Sequence, residues 1–341
     1  MKAWLLMLAL LVGVVPAFAK GTAMNNDKTF PVRDDVVCRS VRYPNRFDIQ
    51  LAGDLYLPPG FDANKKYAAV IVGHPYGGVK EQCAGLYAQE LAARGFVALA
   101  FDLSFAGESG GTPRQTVSPE VYAEDFSASV DFLGLQPFVD RAKIGVVGIC
   151  GSGGFSLSAA AVDPRLRAMV TVSMYDMGRA TYKGGDDKLT EAQRRAQQET
   201  WANLRWEEAA CNAADPALRF GTPEVLPKDA PLPVREFYAY YRERAWHPNY
   251  KGQKLTSMPA LMNWDPFLHI ADISPRPILF VVGANAHSKY FSDDAYARAK
   301  EPKRMLVVPN ATHVDLYDNR EKIPFGEIED FLRTALGFPK E

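Results

Sequence analysis

Lys143–Asp163 reads KIGVVGICGSGGFSLSAAAVD, and this stretch decides the fold. KIGVVG is an apolar, β-branched run of strand length, and Gly153–Val162 is a small-residue helical pattern. A strand that turns sharply into a helix, with a nucleophilic side chain between small residues two before and two after, has the form G-x-Nuc-x-G. The turn strains the central residue, so bulky flanks would clash. The helix behind it aims its dipole and free amides at the central atom, which favours a thiolate and a developing oxyanion. Two frames compete. Cys150 at the centre is flanked by Gly148 and Ser152; Ser152 at the centre is flanked by Cys150 and Gly154. Cys150 lies two residues after the last strand glycine, where the turn belongs, whereas Ser152 needs a longer turn. The spacing favours Cys150. A phosphate loop is the other use of such glycines, but no Lys-Ser/Thr follows and no acidic residue is spaced for a dinucleotide.

Working outward, short apolar runs alternate with helical patterns. YAAVIVG (67–73), FVALAF (96–101), KIGVVG (143–148), AMVTVS (168–173), PILFVVG (277–283) and RMLVV (304–308) read as strands. Helical stretches fall near 80–94, 120–135, 153–162, 292–300 and 324–336. Val36–Tyr43 and Phe47–Leu57 alternate like a hairpin broken at Pro44-Asn45. Fully apolar strands alternating with helices predict an α/β fold: a mostly parallel sheet covered by helices on both faces, with the hairpin antiparallel at one edge. The rhythm stops between Met177 and about Ile273. There Thr190–Cys211 reads as a helix, Asp215–Pro233 as a Pro-punctuated loop and Val234–Trp246 as an aromatic helix. A structureless loop of that length is disfavoured, so 177–273 is expected to be a helical cap inserted between two strands.

The chain's ends and charges narrow the function. Met1-Lys2, an apolar run to Val15 and Ala17-Phe18-Ala19 have the form of a cleaved signal peptide over 1–19, leaving one domain over 20–341 in a secreted or periplasmic setting. No other segment is long and apolar enough for a membrane span. Lys plus Arg number 39 against 40 Asp plus Glu, a net charge of −1, so nothing neutralises a nucleic-acid backbone. Cys38, Cys83, Cys150 and Cys211 match no metal spacing; with Cys150 used in the turn, two of the other three are free to pair in an oxidising compartment.

A nucleophile of this kind needs a base and an oxyanion site. Of five histidines, His313 follows the last expected strand in PNATHVD (309–315), where a loop can swing it toward the turn. HPYGG (74–78) follows the YAAVIVG strand; the backbone amides of Tyr76 and Gly151 are the expected oxyanion donors, and His74 is expected to shape its loop. Asp102 and Glu108 read as loop-fixing acids. Phe237, Tyr238, Tyr240 and Tyr241 divide between pocket lining and packing, and Trp201 and Trp206 read as cap core. Cys150, beside amides and an imidazole, is expected to titrate below the ~8.5 of a free thiol and to be the most reactive cysteine.

GHPYGGVKEQ (73–82), FDLSFAGESGGTPR (101–114), GICGSGGF (148–155), SMYDMGR (173–179) and ATHVDLY (311–317) together resemble the dienelactone-hydrolase-like group of the α/β-hydrolases, which includes enterobacterial uncharacterised hydrolases and fungal polyketide transferases. The resemblance spans roughly 36–340. It implies an α/β-hydrolase fold with Cys150 as nucleophile and His313 as base. In that group an Asp is common at the place of His287, and this chain departs from the pattern there. Asp176, after the AMVTVS strand, is the next place such folds hold an acid; Asp293 and Asp294 are alternatives nearer a helix start, where capping suits them. A Cys nucleophile depends less on its base than Ser does, so a weak or missing acid is tolerable. The expected activity is hydrolysis of a small-molecule ester, thioester or lactone, with no metal or organic cofactor. Acyl transfer to another acceptor, or a catalytically dead binding protein, are the alternatives.

Overall fold

The computed structural model describes residues 27–211 and 219–338. The expected signal peptide, 1–19, lies outside them, as does part of the expected loop 215–233. β1 (Val37–Pro44) and β2 (Gln50–Leu57) make the antiparallel hairpin. Its turn is closed by Asn45, whose Oδ1 accepts from the amides of Phe47 and Ile49 at 3.0 Å each. β3 (Tyr67–Gly73) leads through a wide helical turn, Lys80–Ala84, into α1 (Gly85–Ala92) and β4 (Val97–Phe101). α2 (Pro119–Gly134), β5 (Val139–Ile149), α3 (Gly151–Val162) and β6 (Ala168–Val172) follow.

Between β6 and the next long strand the chain runs through α4 (Met177–Lys183), α5 (Glu191–Cys211), β7 (Arg219–Phe220), α6 (Leu232–Tyr238), a second wide helical turn at Ala239–Arg244, β8 (Gln253–Lys254) and α7 (Met258–Met262). β7 and β8 form a separate two-stranded ribbon. β9 (Ile278–Gly283), α8 (Lys289–Arg298), β10 (Lys303–Val308), α9 (Asp315–Asp318) and α10 (Phe325–Leu336) complete the described chain.

The main sheet has eight strands in the order β1-β2-β4-β3-β5-β6-β9-β10, antiparallel at β1–β2 and β2–β4 and parallel elsewhere. β3, β4, β6 and β9 are buried almost throughout, as a sheet covered on both faces requires. Phe126, Phe155 and Phe280 fill one face and Tyr87, Phe96 and Tyr317 the other. The carboxyl ends of β3, β5 and β6 therefore open onto one crevice, roofed by the segment between β6 and β9. Among the described residues no helix is long and apolar enough to cross a membrane.

Candidate active site

Cys150 stands between β5 and α3 with φ 54° and ψ −119°, a conformation that residues with side chains rarely adopt. α3 begins at Gly151, directly after it, earlier than the expected start at Gly153, so Cys150 and not Ser152 occupies the turn. Two glycines beside it leave no space for a side chain. A Cβ on Gly148 would fall 2.4 Å from both the Ser152 carbonyl oxygen and Ser156 Oγ. A Cβ on Gly151 would lie 2.8 Å from the Tyr76 Cβ. Ser152 is fully buried in the first turn of α3, and its hydroxyl donates to the His74 carbonyl at 2.5 Å. It ties the helix to the loop after β3.

That loop is fixed by His74. Its Nδ1 lies 2.8 Å from the Pro75 carbonyl, and its Nε2 accepts from the Leu103 amide at 3.2 Å. Both ring nitrogens are used, and burial holds the imidazole below its ordinary pKa. The Gly78 amide donates to the Pro75 carbonyl at 2.7 Å and Gly77 turns with φ 76°, so the Tyr76 amide swings inward. Hydrogen bonding to the Tyr76 and Gly151 amides and to the Tyr317 hydroxyl favours the thiolate form of Cys150. Burial outweighs these three bonds and pushes the thiol up to about 11. Against the expectation of a thiol acidified by the helix end, desolvation of the buried sulfur exceeds what the amides return.

His313 is fully buried in the loop after β10. Its backbone carbonyl accepts from Ser173 Oγ at 2.9 Å, which pins the loop to the end of β6. Its Nε2 lies 2.9 Å from the Tyr317 hydroxyl and its Nδ1 lies 2.6 Å from Ser288 Oγ. Tyr317 therefore contacts both the sulfur and the imidazole. Burial, and after it the charge of His287, hold His313 well below its usual pKa; burial holds Tyr317 well above its own. Aromatic rings close around the imidazole, with centroids at 5.5 Å (Tyr175), 5.4 Å (Phe237) and 4.8 Å (His287).

No carboxylate hydrogen-bonds to His313 among the described residues; a serine hydroxyl stands there. Asp176 is the N-cap of α4, its carboxylate accepting from the Arg179 amide at 2.8 Å, and burial pushes it up to about 6. Asp293 and Asp294 lie inside α8, beyond its start at Lys289. Asp293 pairs with Lys289 at 2.6 Å, and Asp294 lies 3.6 Å from Arg179 and 3.8 Å from Arg298. The capping role expected of these two is not the one they have. His287 instead points Nδ1 toward Glu236 of α6 at 3.8 Å. Asp102 accepts from the amides of Lys80 and Glu108 at 2.8 Å each, the loop-fixing role expected of it, while Glu108 pairs with Lys80 at 2.7 Å.

Tyr317 and Ser288 escaped the sequence reading. A phenol four residues after His313 and a hydroxyl beside the expected acid position were the available signals. The aromatic residues of α6 and the turn after it divide: Phe237 and Tyr241 line the crevice, whereas Tyr240 is buried and its hydroxyl accepts from the Cys83 amide at 2.9 Å. Trp201 is buried and also lines the crevice, while Trp206, expected in the core, is 78% exposed. Cys38 and Cys83 are free thiols, and burial pushes Cys38 up to about 12. Asp27, Glu81 and His247 bring potential ligand atoms within 4.8 Å of one another. Lys28 and Lys80 already pair with the two carboxylates, and none of the three lines the crevice.

The model of the Dienelactone hydrolase family matches residues 55–193. The uncharacterized protein PA2218 of Pseudomonas aeruginosa is 47% identical over 314 residues, covering 91% of this chain and 84% of its own. Its crystal structure matches with a TM-score of 0.87 at 44% identity, over 92% of this chain and 98% of that one. The uncharacterized protein YcjY of Escherichia coli is 37% identical over 287 residues, 81% of this chain and 90% of its own. The thiohydrolase aneE of Aspergillus aculeatus is 26% identical over 284 residues, 80% and 82% of the two chains.

Proposed function

The chain belongs to the dienelactone hydrolase-like α/β-hydrolases, and from that premise we propose that it is an acyl hydrolase with Cys150 as nucleophile and His313 as base. The observation that carries the reading is Cys150 held at a strained turn directly before α3, with the backbone of Tyr76 packed close against Gly151 beside it. The amides of these two residues are the donor pair proposed for the tetrahedral oxyanion.

The thiol starts neutral, so the proton must leave as the bond forms. Tyr317 touches both partners and supplies the path: the Cys150 proton passes to the phenol oxygen while the phenol proton passes to His313 Nε2. The sulfur attacks the acyl carbon, and the oxyanion rests on the two amides. Collapse expels the alcohol or thiol, which takes the proton back from His313 through Tyr317. Water then loses a proton by the same route and releases the acid and the Cys150 thiol. Ser288 orients the imidazole but brings no charge to stabilise it once protonated. A low-pKa base and a neutral thiol are matched to this concerted transfer rather than to a resting ion pair.

The thiohydrolase relative favours thioesters among the possible substrates. A panel of acyl esters and thioesters tests the reading: wild type turns over at least one class and Cys150→Ala none. Transfer to added alcohol or amine in preference to water moves the reading to an acyltransferase, and an inert wild type to a binding protein. The leader-like run Met1–Ala19 supports export; intact mass of protein from the periplasm or medium is expected to lack residues 1–19, and a mass retaining them removes that part.

A further inference from the structure

We propose that Glu236 of α6 and His287 form an ion pair that clasps the roofing segment to the loop after β9 and keeps the proton off the neighbouring His313. The inference rests on the reading of His313 as base and adds two positioning residues to it.

α6 belongs to the roof of the crevice, whereas His287 lies between β9 and α8, one residue before the Ser288 that meets His313 Nδ1. Glu236 Oε2 stands 3.8 Å from His287 Nδ1, and the two side chains are only 13% and 18% exposed. Glu236 Oε2 and His287 Nε2 are both buried with no hydrogen-bond partner. A buried carboxylate oxygen without a donor is costly unless a counter-charge stands beside it. Among the described residues Glu236 has no other ion-pair partner, so the imidazolium of His287 is the counter-charge available to it.

The His287 ring centroid lies 4.8 Å from that of His313. Two imidazoles at this range resist holding a proton each, because like charges oppose one another. Their surroundings decide which one holds it. His313 is fully buried, and its two ring nitrogens meet the hydroxyls of Ser288 and Tyr317, which bring no charge. His287 keeps part of its surface in water and has the carboxylate beside it. The other titratable group in contact with His287 is Tyr175, from the stretch after β6, with ring centroids 5.8 Å apart; burial keeps its phenol protonated. The charge of His287 is in turn among the causes that depress His313. Phe237, next to Glu236 in the chain, packs on His287 at 5.6 Å and on His313 at 5.4 Å and lines the crevice. One helix thus carries both the clasp and part of the substrate's roof.

The test follows two readouts on the full chain: the fall of kcat/KM at low pH on an acyl substrate that the wild type accepts, and imidazole NMR titrations of histidine-labelled protein, assigned with His313→Gln, which need no turnover. Without the neighbouring charge His313 takes its proton at higher pH, so His287→Gln should move both readouts upward by about one unit. Glu236→Gln keeps the side chain's shape and removes the counter-ion; it should move both the same way by about half as much. Because Glu236 acts through His287, adding Glu236→Gln to His287→Gln should move neither further. Should His287→Gln not fold, the near-isosteric Glu236→Gln carries the comparison. A pair that only packs the roof would change melts, or kcat alike at every pH, and leave the limb and the His313 titration in place, which overturns the proposal. A downward shift, or full additivity in the double variant, also overturns it. Turnover that depends on Cys150 beside unmoved titrations removes the clasp and leaves the hydrolase reading. Moved titrations with no turnover of any ester or thioester support the clasp and remove that reading.

Discussion

The two walls of the crevice are built on different principles. On the β3–β5 side, backbone does the work. Cys150 is held by a strained turn, the two amides belong to Tyr76 and Gly151, and close contacts at Gly148 and Gly151 leave no room for movement. On the β9–β10 side, side chains do it. His313 hangs between Ser288 and Tyr317, and the neighbouring His287 turns toward Glu236. The first wall leaves no room for a side chain at Gly148 or Gly151; on the second a hydroxyl, not a carboxylate, holds the imidazole. Among the described residues no carboxylate meets the imidazole on one wall, while on the other the strained turn sets Cys150 against the loop that carries Tyr76.

The largest expected effects fall on the residues that join the walls. Cys150→Ala should lower kcat by about ten-thousandfold or more, and His313→Ala by about a thousandfold, measured on whichever acyl class the wild type accepts. Equal activity in Cys150→Ala would leave the rigid wall without a catalytic purpose. Tyr317→Phe keeps the ring and removes the path. We expect kcat to fall about tenfold to a hundredfold with KM little changed, and the solvent isotope effect to alter because fewer protons move together. A kcat within twofold of wild type would mean that sulfur and imidazole meet directly during turnover.

Ser288 tests the second wall by itself. With His313 as the proposed base its neutral form is the working one, and burial holds its pKa below the usual 6.5, so kcat/KM should stay flat from pH 8 down past 6.5 and fall only at lower pH. Ser288→Asp places a carboxylate at Nδ1, which favours the imidazolium and should move that acid limb upward by about one unit. Ser288→Ala should cost about tenfold in kcat through loss of orientation. The same histidine makes a stability prediction. Its folded pKa is depressed, so the unfolded chain binds more protons below about 6.5, and stability should decline as pH falls through that value. His313→Gln should weaken that decline in thermal melts.

The contrast also explains what could be read in advance. The turn at 148–152 is a steric demand on backbone, and steric demands leave small residues at fixed spacing; the strands and helices followed from apolar periodicity for the same reason. His313 was legible from its place after the last strand. Tyr317 and Ser288 were not, because which rotamer reaches an imidazole depends on tertiary packing rather than on local pattern. The acidity of Cys150 was misjudged because the helix end is visible in sequence whereas the depth of burial is not. Trp206 shows the same gap: its helical spacing fits a core, yet its face of α5 meets water.

Asp176 gives the smallest expected change in activity and the sharpest test of whether an acid is needed. It is buried at the N-cap of α4, and its partner is the Arg179 amide, not His313. Asp176→Asn keeps an acceptor oxygen for that amide, so the cap survives. If the carboxylate oriented the base, this change would cost about ten-thousandfold in kcat, as loss of a triad acid does. We expect a change within about twofold instead, since Ser288 already occupies Nδ1. Stability should move the other way. Burial raises the folded pKa of Asp176 from 3.8 to about 6, so the folded state binds the extra proton between these values and stability falls as pH rises through them. Removing the charge should therefore stabilise the protein near pH 7 by an amount on the order of 2 kcal/mol, fading toward pH 4. Paired melts of wild type and Asp176→Asn at the two pH values, run beside the kinetic assay, separate a capping residue from a catalytic one: lost activity with unchanged melts would return Asp176 to the active site.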